Sequence, residues 1–212
     1  MNEYLNHMFQ AFSKVGSRHY FTETLQNLNE ISEDPELDIQ STEATFTSEL
    51  YRHWRNIMEE QGNRELYDGI AIDLDITKRA WHPRIVGNER GFRPDIVLHQ
   101  SQAIMNEQFQ IIYGEVKTTF NPNVDKDIRK IANALSLLHF QNGVFISVNS
   151  NIDELKDSIY SSITSVNQLL IELQFNIDWS NVYLMHANQH QDNHTITPFN
   201  EIYNGKRRSS SK

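Results

Sequence analysis

The sequence predicts an α/β fold in which helices cover both faces of a mixed sheet, and three patterns point there. Residues 70–76, IAIDLDI, alternate apolar and polar side chains with the period of a half-buried strand. Val124, Ile128, Ile131, Leu135 and Leu138 step by four, three, four and three residues, the spacing of an amphipathic helix. GVFISVN at 143–149 is a continuous apolar run after a glycine turn, as expected of a buried strand. A helix between two strands makes that pair a right-handed crossover.

The elements follow in chain order. Residues 2–31 have helical spacing in two pieces, Tyr4, Met8, Phe12 and then Phe21, Leu25, Leu28, separated by Gly16 and Ser17. SEDPELDIQSTEAT (32–45) is acidic, contains Pro35 and has no clear period, so it reads as a connecting loop. From Phe46 an apolar face runs through Leu50, Trp54, Ile57 and Met58, with Thr47 or Ser48 able to cap the helix. After the strand at 70–76 come strands at 92–100 and 110–119, joined by a polar hairpin connection. The helix through Val124 to Leu138 and the strand at 143–149 are next. A long helical pattern then passes through Leu155, Ile159, Ile163, Val166, Leu170 and Leu173, and NVYLMHA (181–187) is a last strand. The expected organisation is an acidic helical accessory segment (1–45), a main domain (46–187) with a helix–strand extension, and a flexible polar and basic tail (188–212). No internal repeat, Walker loop, G-x-G-x-x-G or G-x-S-x-G motif is present.

Composition narrows the chemistry. The 212 residues include no cysteine, which excludes disulfides, zinc–cysteine sites, iron–sulfur clusters and thiol nucleophiles, and which suits a reducing cytoplasm. The apolar runs fall far short of the ~20 residues needed to span a bilayer, and the N-terminus lacks the layout of a signal peptide, so no membrane partner is expected. The formal charge of -9 is unevenly spread. Between Arg18 and Arg52 there are eight acids and no Lys or Arg, whereas residues 78–93 carry Lys78, Arg79, Arg84, Arg90 and Arg93 against Glu89 alone. A focused basic segment of this kind can grip phosphates, so Arg84, Arg90 and Arg93, with His82, are candidates for contact with a nucleic-acid backbone.

That basic segment leads directly into the chemistry. Asp95 follows Pro94 in RPDIVLH, on the second strand, and Glu115 and Lys117 lie in IIYGEVKTT, on the third. Residues two apart on a strand share a face, so Glu115 and Lys117 project together while Ile112 and Val116 point to the opposite, buried face. If the two strands pair, Asp95 approaches Glu115. Buried like charges repel unless a cation joins them, and oxygen ligands favour Mg²⁺, with Mn²⁺ as the alternative, over zinc. Asp95, Glu115 and the Val116 carbonyl would hold the ion, and Lys117 would orient a water or offset charge on a phosphate.

RPDIVLH followed by GEVKTT resembles the PD-(D/E)XK nuclease superfamily, the restriction-endonuclease-like fold. The resemblance covers about half of the chain, residues 46–149, where the order of helix, three strands, helix and strand is that of the family core. It implies a metal-dependent nuclease that hydrolyses phosphodiester bonds, most simply a DNA endonuclease of bacterial defence or DNA processing, with Asp95, Glu115 and Lys117 as the catalytic set. It further implies an acid on the first core helix, matched here by Glu49 as an additional metal ligand. It also implies a basic helix face toward the substrate, matched by Lys126, Arg129 and Lys130. The alternative is a noncatalytic nucleic-acid- or protein-binding subunit that keeps the nuclease fold, and a small-molecule phosphohydrolase is a third reading. A protein partner or a homodimer would suit either of the first two.

Other candidates carry less. His186, His190 and His194 are spaced by four, His99 lies further along the Asp95 face, Asp73 and Asp75 alternate outward from the first strand, and Trp81 is placed to stack on a base.

Overall fold

Alternation along the strands builds two separate cores, one on each side of a single sheet. A computed structural model describes residues 1–20, 35–74, 93–100, 110–119, 122–172, 174–188 and 191–209. The sheet has six strands in spatial order β1 (Ile70–Leu74), β2 (Ile96–Gln100), β3 (Gln110–Lys117), β4 (Asn142–Val148), β5 (Val182–Asn188) and β6 (Gln191–Pro198). The helices are α1 (Glu3–Ser13), α2 (Pro35–Glu59), α3 (Asp125–Leu137), α4 (Ile152–Glu172) and α5 (Phe199–Ser209). β1, β2 and β3 pair antiparallel, β3, β4 and β5 pair parallel, and β6 returns antiparallel to β5. Parallel neighbours need a crossover, and the two parallel joints are those whose connections contain α3 and α4.

On one face, Leu5, Met8 and Phe12 of α1 and Phe46, Leu50 and Trp54 of α2 pack on Ile96, Leu98, Ile112, Val116 and Ile146. On the other, Ile128 and Ile131 of α3, Ile159 and Ile163 of α4 and Phe199 of α5 cover Val97, Tyr113, Phe145 and Leu184. Every residue of β4 is buried, as its unbroken apolar run requires of a strand covered on both sides. The α/β class, the mixed sheet and the helix between the third and fourth strands are therefore as the sequence predicts. Among the described residues no helix is long and apolar enough to cross a membrane.

Four expectations need correction. The segment from Pro35 is helix, not loop. Proline is well tolerated in the first turn of a helix. The boundary placed at residue 45 consequently falls inside α2, and α1 shares one core with the sheet. The C-terminal region is ordered as β6 and α5, with Phe199 and Ile202 buried and Lys206 paired to Asp157. Only three apolar residues at helical spacing, Phe199, Ile202 and Tyr203, marked that helix among polar neighbours. Finally, β2 begins at Ile96, because Pro94 has no N–H for the ladder, so Asp95 stands just before the strand. The second N-terminal helical piece (21–31) and the connection at 101–109 lie outside the described residues.

If α5 is part of the core, Phe199→Ala should cost about 3–5 kcal/mol in urea unfolding, the usual scale for a buried aromatic. A variant as stable as the parent would restore the flexible-tail reading.

Candidate functional site

Tyr113, Glu115 and Lys117 alternate onto the face of β3 that α3 covers, and Asp95 is brought beside them by the antiparallel pairing of β2 with β3. The register sets Ile96 opposite Gly114, and the Asp95 N–H donates to the Gly114 carbonyl at 3.1 Å. Gly114 makes this approach feasible, since a Cβ there would stand 2.7 Å from Ile96 Cγ2. One Asp95 oxygen, Oδ2, accepts the Val116 N–H at 2.7 Å. Beyond Lys117 the strand end is tied down by Asn149, whose side-chain amide donates to the carbonyls of Thr118 (3.0 Å) and Tyr20 (2.7 Å). The three residues anticipated as catalytic thus converge, and Glu115 is more deeply placed than a sheet edge would make it, with 0% of its surface exposed.

Helices supply the rest of the cluster. Lys130 of α3 reaches Glu115 Oε2 at 2.7 Å and Asp127 Oδ1 at 3.2 Å. Tyr113 donates its hydroxyl to Glu115 Oε1 at 2.7 Å. Lys117 lies 3.7 Å from Asp127 Oδ2 and 3.4 Å from Glu43 Oε2 of α2. Four carboxylates, Glu43, Asp95, Glu115 and Asp127, therefore face two ammonium groups, Lys117 and Lys130. Among the described residues, and counting these six groups alone, the carboxylates outnumber the ammonium groups by two.

The titration behaviour reflects that excess. Burial, then the charge of Asp95, pushes the Glu115 carboxyl well above its ordinary value. Burial also raises Asp95, against the opposing pull of the Val116 N–H, and it raises Glu43. Burial acts downward on Lys117 and Lys130, but the surrounding carboxylates outweigh it and both ammonium groups are held above the ordinary lysine value. Lys117 is thus a proton donor and a positive charge at neutral pH, not a base.

Glu49, anticipated on the first core helix, is elsewhere. It pairs with Arg52 at 2.7 Å and lies 4.0 Å from both His19 and His53, and the Arg52 hydrogen bond lowers its pKa. The acid that α2 brings to the site is Glu43. Six residues along a helix is a rotation of about 120° from that face, which is why one acid reaches the site and the other does not. Asp127 is the other residue missed. It is an acid on the buried stripe of α3 with Val124, Ile128 and Ile131, and that misplacement in the apolar pattern is a signal the sequence does contain.

The candidate basic face divides. Lys130 is turned into the carboxylates, Arg129 is engaged with Asp125 (2.8 Å) and Ser165 (3.1 Å), and Lys126 is exposed. Arg93 is exposed close to Asp95, whereas Arg84, Arg90, His82, Trp81 and Asp75 lie outside the described residues. His99 is paired with Asp73 at 2.6 Å. The two described histidines of the series have separate partners: His186 is buried in β5 against the Ser150 carbonyl at 2.9 Å, and His194 in β6 bonds the Tyr20 hydroxyl at 2.8 Å, with its ring edge-to-face on Phe12. His190 is outside the described residues. Among the described residues no group of three or more His, Cys, Asp or Glu side chains is arranged as a metal cage. The donor set anticipated for an ion was Asp95, Glu115, the Val116 carbonyl and Glu49; with Glu49 held by Arg52, two carboxylates and a carbonyl remain, and their all-oxygen chemistry fits a hard divalent cation.

No family model matches the chain, and neither a curated protein nor a solved structure is significantly similar to it. Fold and site define its class, an α/β protein with a six-stranded mixed sheet and a buried carboxylate–lysine cluster beside β3.

The buried pair makes a pH prediction. A carboxyl whose folded pKa is raised binds more protons in the native state than in the unfolded one, so it destabilises the fold progressively as pH rises above its ordinary value, 4.5 for Glu115. The raised lysines stay charged throughout that range. In chelator, the stability of Asp95→Asn relative to the parent should therefore improve steadily from pH 4.5 toward neutrality. A difference that is independent of pH would show that Asp95 and Glu115 are not coupled.

Proposed function

We propose that the protein is a metal-dependent nuclease with a restriction-endonuclease-like core, hydrolysing phosphodiester bonds of nucleic acid, DNA in the first instance, in the cytoplasm. The observation that carries the reading is the convergence of Asp95, Glu115 and Lys117 at paired strands, with two carboxylates desolvated together. The order of helix, three strands, helix and strand around them supports it, as does an exposed Arg93 close to Asp95.

Each residue then has a task. Asp95 and Glu115, with the Val116 carbonyl, would hold Mg²⁺ or Mn²⁺. Such an ion supplies Lewis-acid stabilisation to a phosphoryl group. Asp95 keeps its orientation through the Val116 N–H, and Tyr113 fixes Glu115 by its hydroxyl, so both carboxylates are pre-set before any ligand arrives. Lys117, 3.4 Å from Glu43 and 3.7 Å from Asp127, would donate to a water or to a phosphate oxygen and offset charge that builds there. Arg93 and Lys126 contribute to backbone contact from outside.

The second reading is a binding subunit that retains the fold without turnover. The observation that favours it is the state of Glu115, both of whose oxygens are taken by protein donors, Tyr113 and Lys130.

Plasmid DNA, linear DNA and RNA incubated with Mg²⁺ or Mn²⁺ separate the two. Cleavage by the parent should fall by about 10²-fold or more in Asp95→Asn and in Lys117→Ala, the usual scale for loss of an electrostatic catalytic group. Cleavage that survives both substitutions sinks the site assignment, and absence of cleavage of every substrate favours the binding subunit.

A further inference from the structure

Lys130 sits where a cation at Glu115 would have to bind. Its Nζ is 2.7 Å from Oε2, and the other oxygen, Oε1, is occupied by the Tyr113 hydroxyl. An ion approaching Glu115 from the Asp95 side must therefore take over an oxygen that already has a positively charged partner. Lys130 has somewhere to go, because its second anchor, Asp127 Oδ1, is 3.2 Å away on the same helix, three residues earlier. Asp127 is itself almost wholly buried and holds Lys117 through its other oxygen, so it can receive the released ammonium without moving far. The arrangement resembles an occupied cation site in which the occupant is tethered.

We infer that Lys130 is a built-in counter-cation of Glu115, exchanged for a divalent ion by transfer of its ammonium wholly onto Asp127, and that this exchange sets the metal affinity of the site. The inference rests on the metal-dependent reading above and deepens it. No covalent bond changes. One ion pair is given up and one is strengthened, while the incoming charge replaces the departing one beside Glu115. The role given to Lys130 differs from that of a substrate contact, which its place on a basic helix would suggest.

Calorimetric titration with Mn²⁺ at fixed pH and ionic strength, with no nucleic acid present, tests this. Lys130→Gln, which removes the competing charge and keeps a hydrogen-bond donor, should bind Mn²⁺ about tenfold more tightly than the parent. Lys130→Arg should bind no more tightly than the parent. Lys126→Gln removes the same charge from the exposed side of α3 and should change affinity by less than about twofold. Equal tightening in Lys126→Gln, or none in Lys130→Gln while the parent binds, overturns the exchange and leaves the metal-dependent reading standing. Failure of both the parent and Lys130→Gln to bind Mn²⁺ overturns the two together. A measurement on the unsubstituted chain guards against a variant that does not fold: the Lys130 side-chain resonance in lysine-labelled protein should shift as Mg²⁺ is added. A resonance that stays in place at saturating Mg²⁺ contradicts the exchange.

Discussion

Glu115 has no exposed surface, and Asp95 is near enough to push its pKa further in the direction that burial already drives it. A buried carboxylate left without compensation costs several kcal/mol, so the fold must deliver positive charge to that point or leave the group protonated. It delivers it from two directions. Lys117 arrives along β3, two residues from Glu115, and Lys130 arrives from α3, whose first turns are laid over the same strand. Asp127 then bridges the two lysines, while Glu43 extends the chain of ion pairs from α2 through Lys117. The cluster ties one strand and the helices of both layers into one electrostatic unit.

The backbone around it is arranged to match. Pro94 ends the approach to β2, the Asp95 N–H continues the ladder to Gly114, and the absent side chain at Gly114 lets the strands close at that register. The apolar layers do the remaining work by fixing the helices: α3 can present Asp127 and Lys130 inward because Ile128 and Ile131 anchor it against the sheet. α2 can extend Glu43 toward Lys117 because Phe46, Leu50 and Trp54 seat it on the opposite face.

Much of this was legible in the chain. Period-two strands, the four-three stepping of α3 and the E-x-K spacing each translate directly into a face, and those faces meet as expected. What was not legible has identifiable causes. Pro35 reads as a breaker, yet it also opens helices, and mistaking one role for the other hid Glu43 in a loop and promoted Glu49 in its place. Lys130 has the composition of a surface residue, and only a three-dimensional partner such as Glu115 reveals that it points inward. The C-terminal helix depends on a few apolar residues whose burial is decided by long-range packing, a level at which local patterns are silent.

The proposed cation site lies between Asp95 and Glu115. A crystal grown in chelator and then soaked in Mn²⁺ tests it directly, by anomalous diffraction at the manganese edge. The expected result is a single strong peak within coordination reach of both carboxylates, about 2.0–2.3 Å from the nearest oxygens. A crystal saturated with Mn²⁺ that shows no peak there, with Glu115 still held by Lys130 and Tyr113, would contradict it.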